Sequence, residues 1–192
     1  MKKVGLYGGT FDPPHFGHLN LAIEIMERHH LDEIWWIPVY THPFQSKATS
    51  STINERLEMV RLAIEEIPTF KVLDIETERV GPSYTIDTIQ LLKRQFPEYQ
   101  FFLLLGDDSL AHFHLWKDPE EIVRLALPLI GTRKDASIVL PDTLSSVVRQ
   151  AMEKGVTPIP LMQISSTAIR QRLKEGLYCG HLVPDQVLKK RT

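Results

Sequence analysis

The sequence predicts an α/β fold, a single domain over residues 1–192 built on a doubly wound parallel sheet, and three features predict it. Short apolar runs alternate with helical patterns along nearly the whole chain, as the strands of a parallel sheet alternate with their crossover helices. The run Gln100–Leu105 is almost wholly apolar, as expected of a central strand buried on both faces. The first run, Lys2–Tyr7, leads into Gly8 and Gly9 and then an apolar periodic helix. A glycine turn therefore sits at the carboxyl end of a strand, where open α/β sheets bind ligands.

Each element follows from a local pattern. From Gly17 onward, Leu19, Ala22, Ile23 and Met26 recur at helical spacing. Glu33–Val39 reads as the second strand, with Trp35 and Trp36 on opposite faces, and Tyr40–Ser51 has the composition of a loop. Thr52 and Glu55 form a capping-box pattern ahead of Leu57, Val60, Ile64 and Ile67. Phe70–Ile75 is the next strand. Gly81–Thr85 leads into a helix carrying Ile86, Ile89, Leu92 and Phe96, ended by Pro97. After Gln100–Leu105 the chain turns at Gly106-Asp107-Asp108. Asp118, Pro119 and Glu121 supply an N-cap, a first-turn proline and a capping-box acid for another helix. Leu127–Gly131 reads as a strand, Leu144, Val147, Val148 and Ala151 as a helix closed by Gly155, and Val156–Leu161 as the last strand. A final helix starts near Ser165 and runs through Ile169, Arg172 and Leu173 to Gly176.

Bulk properties narrow the function classes. A chain of 192 residues is long enough to bury a real core. A formal net charge of -2 with mixed charges gives no basic footprint, so nucleic acid is not expected as the main partner. One cysteine excludes an internal disulfide framework and fits a reducing cytosol. No apolar stretch reaches membrane-spanning length and the N-terminus shows no secretory apolar region, so the expected location is the cytoplasm, with no membrane partner. Oligomeric state leaves no mark in the sequence.

Chemistry concentrates at two places. In GGTFDPPHFGHL, Gly8 to Leu19, glycines without Cβ let main chain approach a bulky anion and take dihedrals that other residues avoid. The free N–H groups of the following helix turn favour phosphate. His15 and His18, three apart, point in similar directions and can donate to phosphate oxygens. Zinc is a competing use of two histidines, but there is no HExxH and the lone Cys179 lies far away. The patterns GxxxxGK[ST] and GxGxxG are absent. In ISSTAIR, Ile164 to Arg170, composition alone leaves a helix cap and a phosphate site equally open for Ser165, Ser166 and Thr167. Arg170 shifts the balance, because a guanidinium fork can clamp a phosphoryl group.

The first string resembles the GTFDPxHxGH motif of the nucleotidylyltransferase superfamily, which has a Rossmann-like fold and an HxGH site. ISSTAIR, SYTIDT at Ser83–Thr88, the run Gly106–Ser109, Trp116, Glu55–Ile64 and Leu182–Val187 resemble the bacterial nicotinate-mononucleotide adenylyltransferases, in order across essentially the whole chain. The resemblance implies an enzyme of NAD biosynthesis that joins ATP to nicotinate mononucleotide, giving nicotinate adenine dinucleotide and pyrophosphate. It implies His15, His18 and Arg170 as catalytic residues, with Lys47 a further cation. It implies ATP contacts from Gly8, Gly9, Thr10, Phe11, Gly106, Asp108, Arg133, Ser165, Ser166 and Thr167. Thr85 and Trp116 would bind the nicotinate moiety, and Mg²⁺ would arrive with ATP, with no protein metal site. Judged alone, Thr85 and Asp108 read as helix caps and Trp116 as packing.

Several features depart from the family pattern, among them a chain that stops soon after Leu182–Val187, shorter than many relatives. The loop THPFQSK has its cation, Lys47, later than usual, Asp107 replaces an alanine, and Lys134-Asp135 follows Arg133 where Pro-Gly is typical. Alternatives of the same superfamily would use nicotinamide mononucleotide or phosphopantetheine as acceptor, or be a cytidylyltransferase. A different class is a nucleotide-binding module that has lost catalysis, and missing histidines would have suggested it.

Overall fold

The computed structural model describes residues 1–40, 49–76, 82–132, 140–160 and 162–191, without the side chains of Asp108 and Arg191. Lys47 and Arg133 lie outside the described residues, and so does the side chain of Asp108.

Six strands form one sheet, all neighbours parallel: β1 (Lys3–Gly9), β2 (Glu33–Pro38), β3 (Phe70–Val72), β4 (Gln100–Gly106), β5 (Ala126–Thr132) and β6 (Val156–Pro158). The spatial order β3-β2-β1-β4-β5-β6 is the doubly wound order of the Rossmann fold. The chain builds outward from β1 to β3, returns to the other side of β1 at β4, and builds outward again. That reversal leaves a crevice beyond the carboxyl ends of β1 and β4.

The period-2 alternation of each strand sorts the core into two layers. Val4, Leu6, Trp35, Leu103 and Leu105 face one layer, packed with Ile89 of α3 (Thr85–Gln95), Ile122 of α4 (Pro119–Leu125) and Met152 of α5 (Ser146–Gly155). Tyr7, Ile34, Trp36, Phe102 and Leu104 face the other, packed with Ile25 of α1 (Phe16–His29) and Val60 of α2 (Ile53–Ile64). Trp35 and Trp36 do point to opposite faces. Two further helices, α6 (Ser166–Lys174) and α7 (Asp185–Arg191), dock through Ile169 and Val187 onto Met59 of α2.

Several local expectations change. The first strand runs through Gly8 and Gly9, and neither takes a positive φ. The residue of this turn in the left-handed region is Phe11, at φ 50. Its ring packs between those of Tyr7 and Trp36, at centroid distances of 5.4 and 5.0 Å, and that burial holds the unusual backbone. The capping box of α2 is made by Thr52 and Glu55 as the pattern predicts. Asp118 stands at the N-cap of α4 but makes no side-chain cap bond, because its φ of 51 is not the extended backbone of a capping residue. Strands β3 and β6 are shorter than their apolar runs, and Ile67 lies beyond α2. A 3₁₀ segment, Asp107–Leu115, follows β4 and had no periodic signal.

The amino end of the sheet, away from the crevice, is tied by Glu33. Its carboxylate accepts from Lys2 Nζ, Lys71 Nζ and the Trp35 indole, each at 2.7 Å. Partial burial alone would raise this carboxyl. The hydrogen bonds from Lys2, Lys71 and Trp35 outweigh it and bring the group down to about 2. Because the folded value lies below the ordinary 4.5, the stabilisation is full above pH 4.5 and is lost as pH falls towards 2. Glu33→Gln should cost about 1 kcal/mol at pH 7 in urea unfolding, given solvent-exposed partners. The difference between wild type and variant should shrink on acidification through that window, and a difference that grew would contradict the assignment.

Candidate active site

At the crevice lies a cleft of about 1140 Å³, open to solvent and large enough for two nucleotides. The turn after β1, the first turn of α1, the first turn of α6 and the start of α3 all line it.

The histidines are set by α1 itself. His15 is the N-cap and His18 the third helical residue, and each caps the other. The His18 backbone N–H donates to His15 Nδ1 at 3.3 Å, and the His15 backbone N–H donates to His18 Nδ1 at 3.1 Å. The rings stack with centroids 3.6 Å apart. This is a capping box in which imidazole nitrogens take the places of the usual oxygens. It has a chemical consequence. With both Nδ1 atoms used as acceptors, the proton of each neutral ring must sit on Nε2. Burial pushes His15 down to about 4, and burial together with the neighbouring His15 holds His18 well below its ordinary value. Two neutral Nε2–H donors therefore stand at the mouth of a helix. The Phe11 ring meets His18 edge-on at 5.1 Å and limits its rotation.

The second motif converges on the same turn. Ser165 caps α6 by accepting from the Ala168 N–H at 3.2 Å, so for this hydroxyl the cap is realised. The Ser166 hydroxyl donates to the Pro13 carbonyl at 2.9 Å. Arg170 donates through Nη1 to the Asp12 carbonyl at 2.9 Å and through Nη2 to Thr167 Oγ1 at 3.1 Å. The N-termini of α1 and α6 are thereby pinned to one loop, residues 12–15, and both open on the cleft. The first-turn N–H groups and dipole of α6 favour phosphate, whereas at α1 the Phe16 N–H already donates to the Leu182 carbonyl and the His18 N–H to His15, so that end offers its dipole and its two imidazoles.

Gly8, Gly9 and Thr10 line the floor beside these groups. Nothing lies within 4 Å of where a Gly8 Cβ would be, so that position keeps space open, whereas a Cβ on Gly9 would strike the Phe11 ring at 2.8 Å. Phe11 itself is only 2% exposed, so what it offers a ligand is main chain. Gly106 ends β4 and opens the 3₁₀ segment.

At the other wall, Thr85 is the first residue of α3, and the N-cap is Tyr84, which makes no side-chain cap bond. The Thr85 hydroxyl is thus not a cap. Trp116 lines the same wall, half-buried, its ring 4.8 Å from that of Phe113. Lys117, next to it, pairs with Asp87 at 2.9 Å and lies 5.0 Å from the Tyr84 ring centre.

The sequence reading passed over Asp12, on the cleft wall, and Arg56, behind it, both 1% exposed. Asp12 accepts from the backbone and hydroxyl of Ser50 and from the hydroxyl of Ser51, at 2.7 to 2.8 Å. Arg56 had a readable signal: it stands four residues before Val60 and eight before Ile64, on the apolar stripe of α2, where a charge needs a reason.

The order of the sheet and two helix N-termini facing its reversal point define a nucleotide-binding α/β protein, and comparison with known proteins agrees. The family model described as cytidylyltransferase-like, a nucleotidyltransferase family, matches residues 6–172. The chain is 38% identical to the nicotinate-nucleotide adenylyltransferase of Bacillus subtilis, covering 98% of this chain and 95% of that protein. Two solved structures of the Plasmodium falciparum nicotinic acid mononucleotide adenylyltransferase share the fold. The one complexed with NaAD has a TM-score of 0.78 and the one complexed with APC 0.74. Each is 20% identical to this chain, and each match covers 99% of this chain and 94% of the other. The chain belongs to the cytidylyltransferase-like family, and within it to the nicotinate-nucleotide adenylyltransferases.

Proposed function

We propose that this protein transfers the adenylyl group of ATP to nicotinate mononucleotide, with release of pyrophosphate, as a step of NAD biosynthesis. A phosphate oxygen of the mononucleotide attacks the α-phosphorus of ATP, and the bond to the β-phosphate oxygen breaks, so no covalent enzyme intermediate is needed. The observation that carries this reading is the reciprocal cap of His15 and His18, which takes up both Nδ1 atoms and leaves Nε2–H donors in the cleft that these residues line together with the first turn of α6. Such donors stabilise charge that grows on the α-phosphate oxygens and on the leaving group without supplying a nucleophile. Arg170, already oriented by Asp12 and Thr167, fits the outer phosphates, as do the first-turn N–H groups of α6. Gly106 and Asp108 are read as ribose contacts, Arg133 as an adenine neighbour and Lys47 as a loop cation.

Mg²⁺ enters this reading on the phosphates of ATP. Asp12 on the cleft wall is buried with both carboxylate oxygens already accepting from Ser50 and Ser51, and in this reading phosphate oxygens and water are the main ligands of an ion that usually keeps several waters. The reading places the reaction in the cytoplasm. No helix among the described residues is long and apolar enough to cross a membrane.

Pyrophosphate release from ATP with nicotinate mononucleotide, nicotinamide mononucleotide or phosphopantetheine as acceptor tests the assignment. The first should give the highest kcat/KM, and release with phosphopantetheine alone would overturn it. Trp116→Ala should raise the KM for the mononucleotide about tenfold, as loss of one aromatic stacking surface implies, and spare that for ATP. An equal rise in both would make Trp116 a packing residue.

A further inference from the structure

Arg56 lies on α2, on the face that otherwise carries Met59, Val60 and Ile64. Burying a guanidinium costs several kcal/mol unless hydrogen bonds and opposite charges answer it, and an apolar side chain of similar volume often does as well. Packing therefore does not account for the charge. Two of its three nitrogens are answered by main chain, while the buried Nε has no hydrogen-bond partner among the described residues. Nη1 donates to the Thr10 carbonyl at 2.9 Å and Nη2 to the Tyr40 carbonyl at 3.4 Å. One planar fork thus ties the turn after β1 to the exit of β2.

Two carboxylates act on the guanidinium through space. Burial lowers Arg56 from its usual range, and the charges of Asp12 and Glu76 offset only part of that. Asp12 belongs to the same turn and is held by Ser50 and Ser51 at the approach to α2. Glu76, 5% exposed, accepts from the Thr88 hydroxyl of α3 at 2.9 Å, on the wall that carries Thr85. The upper side of that turn is the loop to which α6 is pinned, through the Asp12 carbonyl to Arg170 and the Pro13 carbonyl to Ser166.

We propose that Arg56 is a positioning residue for phosphoryl transfer: from behind the cleft wall it fixes the turn Thr10–Asp12, so that Arg170 and the His15–His18 pair converge on one point. It touches no substrate. Its effect reaches the reaction through the register of the turn, and misplacing reacting groups by about 1 Å can cost about a hundredfold in rate. The proposal rests on the adenylyl-transfer reading above.

The test uses Arg56→Lys, which keeps the charge but cannot bond two carbonyls as a rigid fork does, and Arg56→Ala, which opens a space for methylguanidinium. Wild-type turnover with ATP and nicotinate mononucleotide is measured first, and its absence would count against the functional reading rather than against Arg56. Below its melting temperature, Arg56→Lys should lose about tenfold to a hundredfold in kcat. Its KM for the mononucleotide should stay within about twofold. Millimolar methylguanidinium should restore part of the kcat of Arg56→Ala and none of that of Arg56→Lys. If Arg56→Ala does not fold, the kcat and KM of Arg56→Lys decide. Unchanged kcat in folded Arg56→Lys would overturn the proposal. So would a rate loss equal to the fraction unfolded, or a matched rise in both KM values with kcat intact.

Discussion

His18→Ala should lower kcat by about 10² to 10³ while the protein stays folded, the range found when one preorganised donor to a developing oxyanion is removed. The donor is the Nε2–H of a ring whose Nδ1 is occupied by the His15 backbone N–H. Alanine removes both functions. Loss of the reciprocal cap should cost about 1 kcal/mol of stability. In a chain of this length that lowers Tm by about 2 to 4 °C. The kinetic and structural losses are thus separable in one variant. An interaction made only in the transition state lowers kcat and kcat/KM together and leaves the KM for ATP near its original value. A variant with near-normal kcat would remove His18 from the chemistry. The protonation state can be checked without substrate. In an NMR titration of the free protein, neither ring should titrate near 6.5. His15 should take its proton near pH 4. Imidazolium rings at neutral pH would contradict the neutral-donor account. Because the folded value of His15 lies below the ordinary one, its neutral form favours the fold above pH 6.5, and that contribution is lost as pH falls through about 4.

Much of this site is legible in the sequence because its parts are local. Periodicity places α1 and α2, the Thr52–Glu55 pair marks where α2 begins, and alternation sends Trp35 and Trp36 to opposite layers. The turn is harder to read. Glycines suggest a special backbone at Gly8 and Gly9, yet sheet pairing carries β1 to Gly9 opposite Pro38 and moves the left-handed residue to Phe11. That outcome depends on aromatic packing from β2, which no window around the motif contains. The reciprocal cap of His15 and His18 escapes the usual rules because histidine is not among the favoured N-caps. At Asp118 the reverse holds: residue type and spacing announce a cap, but the backbone arriving from the 3₁₀ segment has the wrong dihedral to make it. Arg56, Asp12 and Glu76 come near enough to feel one another's charge only when α2, the turn after β1 and the chain after β3 are assembled, so their grouping is a property of the tertiary structure.

The largest loss of stability is expected from Gly155→Ala, at the junction of α5 and β6. A Cβ built there falls onto the carbonyl oxygen of Pro128 and lies 2.8 Å from its carbonyl carbon. The obstacle is backbone of β5, a strand paired on both sides with β4 and β6, and it cannot turn aside as a side chain could. Gly155 does not have a positive φ, so the requirement is for space and not for a special dihedral. In an unhindered helix the same change would help, since alanine outranks glycine by about 1 kcal/mol. Here the clash should win. Overpacking costs about 1 to 3 kcal/mol where side chains can yield, and more where backbone must move. We therefore expect a net loss of about 3 kcal/mol, a fall in Tm of about 6 to 12 °C. The displacement should travel along β5 towards Gly131, which stands beside Gly106 at the edge of the cleft. Denaturant unfolding with an unchanged m-value measures the first effect. The KM for ATP in the fraction that remains folded reads the second. A variant as stable as wild type would mean that α5 can slide away from β5, and that close contact is not what demands glycine there.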